Sequence, residues 1–290
     1  MKPGGAAATL GKPAAAQQPL RGLFACALLA LIASPADAET ITGGQYAAPV
    51  EHYGHFALGR PHEYARLTAS TSSGQRHSLE LPKDAVFEDL APRLVTLAAG
   101  EPPELLAIVS QRNSGSRLAL IGLRHGRLEI SAQSPPIGTP MRWLNPVGVA
   151  DLDGDGQAEI AAVTTPHRSG TLRIYRRKGK QLLEVAALAG VSNHVYGSSE
   201  LAMSLALPIA GRMQLLVPEP SRRHLRIIAL QDQRLVETAQ CPLSAPLSGA
   251  IRRLSATEIS VELLSGPTRI ELQDCPASQE SPQELEAPVR

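Results

Sequence analysis

The sequence predicts an all-β chain: a β-propeller of four to five blades, each blade a four-stranded antiparallel sheet. Short apolar runs recur in groups of four, several of them alternating with polar residues, the periodicity of strands and not of helices. Their order returns at intervals of ~40–55 residues, the period of propeller blades. Glycine and proline number 24 each among 290 residues, a density of chain breakers that suits many turns.

Residues 146–185 hold the clearest unit. Val147-Gly148-Val149-Ala150 reads as a strand, followed by an acidic loop, Asp151-Leu152-Asp153-Gly154-Asp155-Gly156. Glu159 to Thr164 reads as a buried strand, and Thr171 to Arg176 alternates as a half-buried one. The turn Lys178-Gly179-Lys180 leads to a fourth strand, Leu182 to Val185. Upstream the order returns as Leu94–Leu97, Leu105–Ser110, Leu118–Ile121 and Leu128–Ile130. Downstream it returns as Met203–Leu207, Met213–Val217, Leu225–Ile228 and Leu235–Glu237. A shorter copy follows, with Ile251–Leu254, Ile259–Leu263 and Thr268–Leu272. A hairpin over Tyr64–Ala69 and His77–Leu81 matches the last two strands of a blade. The two partial units are expected to pair and close the ring, which would remove exposed strand edges. An open β-sandwich would meet the strand count without the period.

Residues 1–38 read as a Sec-type signal peptide. Lys2, Lys12 and Arg21 precede an apolar run from Leu23 to Ala33, and Ala36-Asp37-Ala38 supplies a small-residue cleavage site. The run is too short for a spanning helix, which needs about 20 residues, so cleavage after Ala38 leaves no membrane span in the mature chain. A periplasmic or secreted location follows. The mature domain is expected over 39–275, with a disordered tail over 276–290, rich in Glu, Gln, Pro and Ser. Removing the leader takes one of three cysteines, and Cys241 and Cys275 remain. In an oxidising compartment they are expected to form a disulfide, the alternative being two buried thiols.

The whole chain carries 28 basic and 27 acidic side chains, a balance that argues against a nucleic-acid binder. Asp151, Asp153 and Asp155 stand at alternate positions with Gly154 and Gly156 between and beside them. Carboxylates this close need a cation or protonation, and for a cation hard oxygen donors select Ca²⁺. Gln157 can add its backbone carbonyl and Glu159 a last carboxylate. An EF-hand would put a bidentate Glu where Ala162 stands, between flanks that here read as strands.

The stretch Val149-Ala150-Asp151-Leu152-Asp153-Gly154-Asp155-Gly156-Gln157-Ala158-Glu159-Ile160-Ala161-Ala162-Val163 resembles the FG-GAP/VCBS repeats of integrin-α-type β-propellers. The layout is similar to exported bacterial VCBS-repeat proteins. The resemblance implies a loop between the first two strands of a blade that holds calcium through Asp151, Asp153, Asp155, Glu159 and the Gln157 carbonyl. One site is expected, because the matching loop upstream, Leu97-Ala98-Ala99-Gly100-Glu101, lacks the aspartates.

No G-x-S-x-G, H-E-x-x-H or phosphate-loop motif is present, so no catalytic residue is assigned. His52 and His55 read as surface histidines, not zinc ligands. Glu51, His52, Glu63 and His77 are conceivable acid/base partners only if the fold brings them together. Arg173, Arg176, Arg177, Lys178 and Lys180 read as a solvated basic face. Trp143, the only tryptophan, is expected to plug a seam between blades in preference to lining a binding surface, and His167, Asn193 and His194 to face a central pocket. The function expected is non-enzymatic binding or scaffolding in the cell envelope, with a protein or glycan partner that the sequence does not identify. The alternative is a lyase or hydrolase acting on an envelope polymer.

Overall fold

The computed structural model describes residues 39–278, so the expected signal peptide and the end of the expected tail lie outside the described residues. Among the described residues there are 19 strands and one short 3-10 turn, Leu272–Asp274. None of their helices is long and apolar enough to cross a membrane.

The chain begins with β1 (Ile41–Pro49), β2 (Tyr64–Thr71), β3 (Arg76–Glu80) and β4 (Ala85–Phe87). Next come β5 (Arg93–Val95), β6 (Glu104–Gln111), β7 (Gly115–Arg124) and β8 (Arg127–Gln133). Strands β4 and β5 pair with opposite ends of β6, through Phe87–Val109 and Arg93–Leu106, so the first strand of this meander comes in two pieces. A second meander runs β9 (Leu144–Ala150), β10 (Glu159–Thr164), β11 (Gly170–Lys178) and β12 (Gln181–Val191). One parallel pair, Gln133 with Gln181, joins β8 to β12 and makes the sheet mixed. A separate four-stranded sheet holds β13 (Leu205–Ile209), β14 (Arg212–Pro218), β15 (His224–Gln231) and β16 (Arg234–Pro242). The last sheet has three strands, β17 (Leu247–Arg253), β18 (Glu258–Leu263) and β19 (Gly266–Glu271).

The second strand of each meander is buried on both faces, which explains its unbroken apolar sequence. Alternate side chains of a strand point to opposite faces. Leu105, Ala107 and Val109 of β6 therefore pack against β1, β2 and β4, whereas Leu106 and Ile108 enter a core shared with Ile160 and Ala162 of β10. Ala161 and Val163 face Leu215 and Val217 of β14, and Leu216 turns toward Ile259 and Val261 of β18. Four cores thus lie between successive layers. A register shift recurs in the third strand of each meander, at Leu120/Ile121, Ile174/Tyr175 and Ile227/Ile228. Such bulges increase local twist.

The expected closure by pairing of the terminal partial units is not found. The Tyr64–Leu81 hairpin pairs with β1 and, through β4, with the β6 sheet, while β17–β19 form a sheet of their own. No closed propeller is formed by strand pairing among the described residues. The hairpin's β2 edge is taken by β1, and its β3 edge pairs with no strand of the C-terminal sheet.

Cys241 and Cys275 form a disulfide, with Cα atoms 4.5 Å apart. It sets the chain after β19 alongside β16, where Gln240 N donates to Pro276 O at 2.9 Å and Ser278 N to Thr238 O at 3.1 Å. Residues 276–278, expected to begin a tail, therefore cover the edge of β16.

Candidate functional site

Two places gather polar side chains. The first is the loop between β9 and β10, closed by the pairing of Ala150 with Glu159. Its aspartates fold the loop around themselves. Asp151 accepts from Gly154 N at 2.7 Å and Gly156 N at 2.9 Å, Asp153 from Asp155 N at 3.2 Å, and Asp155 from Gln157 N at 2.8 Å. Gly154 and Gly156 have φ of +83° and +87°, which glycine adopts without strain. Glu159 is fully buried and accepts from Leu152 N at 2.9 Å.

Oxygens of Asp151, Asp153 and Glu159 lie within 4.8 Å of one another, a cluster able to hold a metal ion. Asp155 is outside that cluster. The Gln157 backbone instead bridges to Ala98, and Ala158 N donates to Leu97 O at 2.6 Å, tying the loop to the preceding meander.

Sequence reasoning missed the cation already at this site. Arg176, on β11, donates to Glu159 through Nε at 2.9 Å and Nη2 at 2.6 Å, and also pairs with Asp153. Burial raises the Glu159 pKa, with the Asp153 charge adding and the Leu152 and Arg176 bonds opposing. For Arg176, burial acts to lower the pKa, but its bonds to Glu159 and Asp153 outweigh this and the net shift is upward. The basic stretch is accordingly no free solvated face: Arg173 pairs with Glu184, and Arg177 reaches Glu104 of β6 at 2.5 Å.

The second place is a cavity of about 340 Å³ where segments from four parts of the chain meet. His55, Arg142, Trp143, His167, Arg168 and Tyr196 are among its lining residues. Trp143 is 1% exposed, and its indole N–H donates to Glu88 O at 2.9 Å. It fills the seam between the first two meanders, as expected, alongside Leu106 and Ile160. His167 stacks parallel to it, centroids 6.0 Å apart. His55 is buried, not a surface group, because its own chain turns inward around Glu63. The Glu63 carboxylate accepts backbone N–H groups from Gly54, His55 and Phe56 at 2.8–2.9 Å.

The histidine tautomers follow from the hydrogen bonds. Ser198 O can only accept, so His194 Nε2, 2.8 Å away, carries a proton. His194 Nδ1 is then an acceptor, and the bond at 2.6 Å comes from a protonated His167 Nε2. The neutral His167 ring keeps Nδ1 as a lone pair. Burial, and then the neighbouring His194 and His55, push the His167 pKa down to about 3. Burial also lowers that of His194. His55 Nδ1 lies 2.9 Å from Glu88 Oε1, without hydrogen-bond alignment.

Of the residues expected to face a central pocket, His167 is in the cavity lining, and His194 is hydrogen-bonded to it from outside that lining. Asn193 is buried beneath them, bonded to Asn145 and Ser204. Glu51, His52, Glu63 and His77 do not converge: Glu51 pairs with Arg60, and His77 lies 3.7 Å from Glu39. Glu88, Tyr196 and the two arginines stand in no motif, so no local pattern points to them.

Comparison with known proteins finds no matching family model and no curated protein of similar sequence.

Proposed function

We propose that this chain is an exported, calcium-binding β-propeller of the FG-GAP/VCBS type, working as a non-enzymatic binding or scaffolding module of the cell envelope. The observation that carries the calcium assignment is the convergence of Asp151, Asp153 and Glu159 oxygens within 4.8 Å, in a loop wound on its own aspartates. Carboxylate oxygens favour a hard cation, and extracellular modules hold calcium at about 10⁻⁴–10⁻³ M. Bound there, the ion would clamp the loop that touches Leu97 and Ala98, a structural role. Support for the propeller comes from the succession of antiparallel meanders in chain order. The apolar leader and the Cys241–Cys275 disulfide suit export into an oxidising compartment.

Calcium titration of the metal-stripped mature protein, read as melting temperature, tests this reading. Calcium is expected to raise the melting temperature of the parent protein, with the rise lost in Asp153→Ala and reduced in Asp155→Ala. No response in the parent protein would end the calcium assignment.

The enzyme reading draws on one observation, the meeting of His55, His167, Arg142 and Arg168 in one cavity. Against it, the His167–His194 pair ends on a backbone carbonyl instead of the carboxylate that commonly orients a catalytic base.

A further inference from the structure

We infer that the cavity walled by His167, Tyr196 and the two arginines is a binding site for a small organic acid: one ring bearing a carboxylate. The assignment deepens the reading of this chain as a binding module and is independent of the metal loop.

Charge selects the sign of the ligand. Arg142 and Arg168 line the cavity, no carboxylate does, and neither guanidinium is in an ion pair among the described residues. An arginine fork is suited to the two oxygens of a carboxylate. Shape selects the ring. Tyr196 is 57% exposed, yet its hydroxyl is fixed by donation to His55 O, so its face is a held, open surface. The His167 ring stands at 88° to it, 5.3 Å between centroids, and forms a second wall. About 340 Å³ lies at the small end of ligand pockets, enough for one substituted ring. The uncharged His167 leaves its Nδ1 to accept a hydrogen bond from a ring hydroxyl.

The lining also includes left-handed backbone. Met141 and Thr165, both in the lining, have φ of +52°. Left-handed backbone is costly for a β-branched residue and gathers at ligand clamps. Non-glycine residues take positive φ away from the cavity too, at His125, Ala210, Asp232 and Gln233 in tight hairpin turns and at Ala48 and Arg222 outside them. Thr165 opens the β10–β11 connection, where Arg168 N donates to Thr165 O at 3.0 Å.

Trp143 is the only tryptophan and stacks on His167, so its fluorescence reports on this cavity. The mature protein is titrated with galacturonate and with benzoate, and with galactose and benzamide as uncharged partners. A saturable emission change, matched by calorimetric heat, is expected for at least one acid and not for its neutral partner. Which acid binds separates a sugar source from an aromatic one. Arg168→Ala, an exposed position, is expected to weaken binding about tenfold. Arg127→Ala, at the β7–β8 hairpin, is expected to leave it unchanged. No saturable response to either acid at millimolar concentration, equal binding of the neutral partners, or an unchanged Arg168→Ala would overturn the assignment. Recovery of the acid chemically unaltered supports the binding module. Its conversion to product would keep the site and overturn the non-enzymatic reading.

Discussion

Asn145 and Asn193 donate to each other's backbone carbonyl oxygens, both at 3.3 Å. One stands on the first strand of the β9–β12 meander and the other just beyond its last strand, and both are fully buried. Each amide makes a second bond, Asn145 to Leu201 O at 3.1 Å and Asn193 to Ser204 Oγ at 3.0 Å. The pair therefore pins the connection that carries His194 and Tyr196 to the cavity. Removing either amide leaves buried acceptors unpaired, at about 1–3 kcal/mol. Asn145→Ala and Asn193→Ala should each lower stability by that amount in urea melts. Because they act on one link, the double variant should lose less than the sum by 0.5 kcal/mol or more, roughly the smallest coupling typical of contacting residues. Strict additivity would refute a shared role.

The neutral histidines make stability depend on pH. His167 titrates near 3 in the folded chain, and His194 below its usual value, so the unfolded state binds more protons as pH falls through about 6.5. Stability is therefore lost with falling pH, by at most about 1.4 kcal/mol per unit for each imidazole. Asp89 and Glu159 act in the opposite sense, since burial raises both their pKa values and acidification favours their folded protonated forms. Melting temperature measured from pH 7 to pH 4 should fall, and His167→Gln should flatten the slope. An unchanged slope in that variant would show that His167 does not titrate on unfolding.

Arg176 occupies the charge position that a metal would take beside Glu159. Without it the buried carboxylate is unpaired, which costs about 3–5 kcal/mol. Arg176→Ala should thus melt well below the parent protein when metal-free, and calcium should recover more of the loss than it adds to the parent protein. If calcium gives the variant no extra gain, the guanidinium and the ion do not share the loop.

The fold was legible where burial was two-sided. β6, β10 and β14 stand out as apolar runs because each faces two cores. β1 did not, since Gly43 and Gly44 replace side chains and Leu105 packs into the space a Cβ at Gly44 would need. β4 has three residues, too few for a period. Ring closure was misjudged because a hairpin's sequence does not say which neighbour takes its free edge. In the acidic loop, spacing found Asp151, Asp153 and Glu159 because ligands and hydrogen bonds are local there. Arg176 was out of reach: only the β10–β11 register brings Tyr175 opposite Ile160 and its neighbour over Glu159. Tyr196 bonds to His55 O across 141 residues, a contact no local pattern encodes.

Glycine substitutions separate strain from crowding. Gly115 has φ +73°, and a Cβ there would lie 2.4 Å from Thr139 O and 2.9 Å from Arg142 O, in the segment leading to the cavity. Gly138 has φ +89° with nothing within 4 Å. Gly138→Ala should cost only the left-handed backbone, about 1–2 kcal/mol. Gly115→Ala should cost that plus an overpacking penalty of about 1–3 kcal/mol and shift the Trp143 emission. Equal losses would mean that the Thr139–Arg142 segment yields freely.

The disulfide offers a test of the C-terminal layer. Closing a 34-residue interval stabilises by about 3–4 kcal/mol if its effect is to restrict the unfolded chain. The bond joins β16 to the segment whose residues 276–278 cover that strand's edge, so its loss also frees a row of backbone groups on Thr238 and Gln240. Cys241→Ser, buried at 1% exposure, adds a polar group to the core that contains Leu243 and Ile259. Cys275→Ser lies at the margin of that core. The Cys275 variant should therefore lose the cross-link alone, and the Cys241 variant about 1–3 kcal/mol more for the buried hydroxyl. Urea melts give the stabilities, and amide exchange at Gln240 should accelerate in both. Protection at Gln240 equal to that of the oxidised protein would mean the β16 edge is held without the bond.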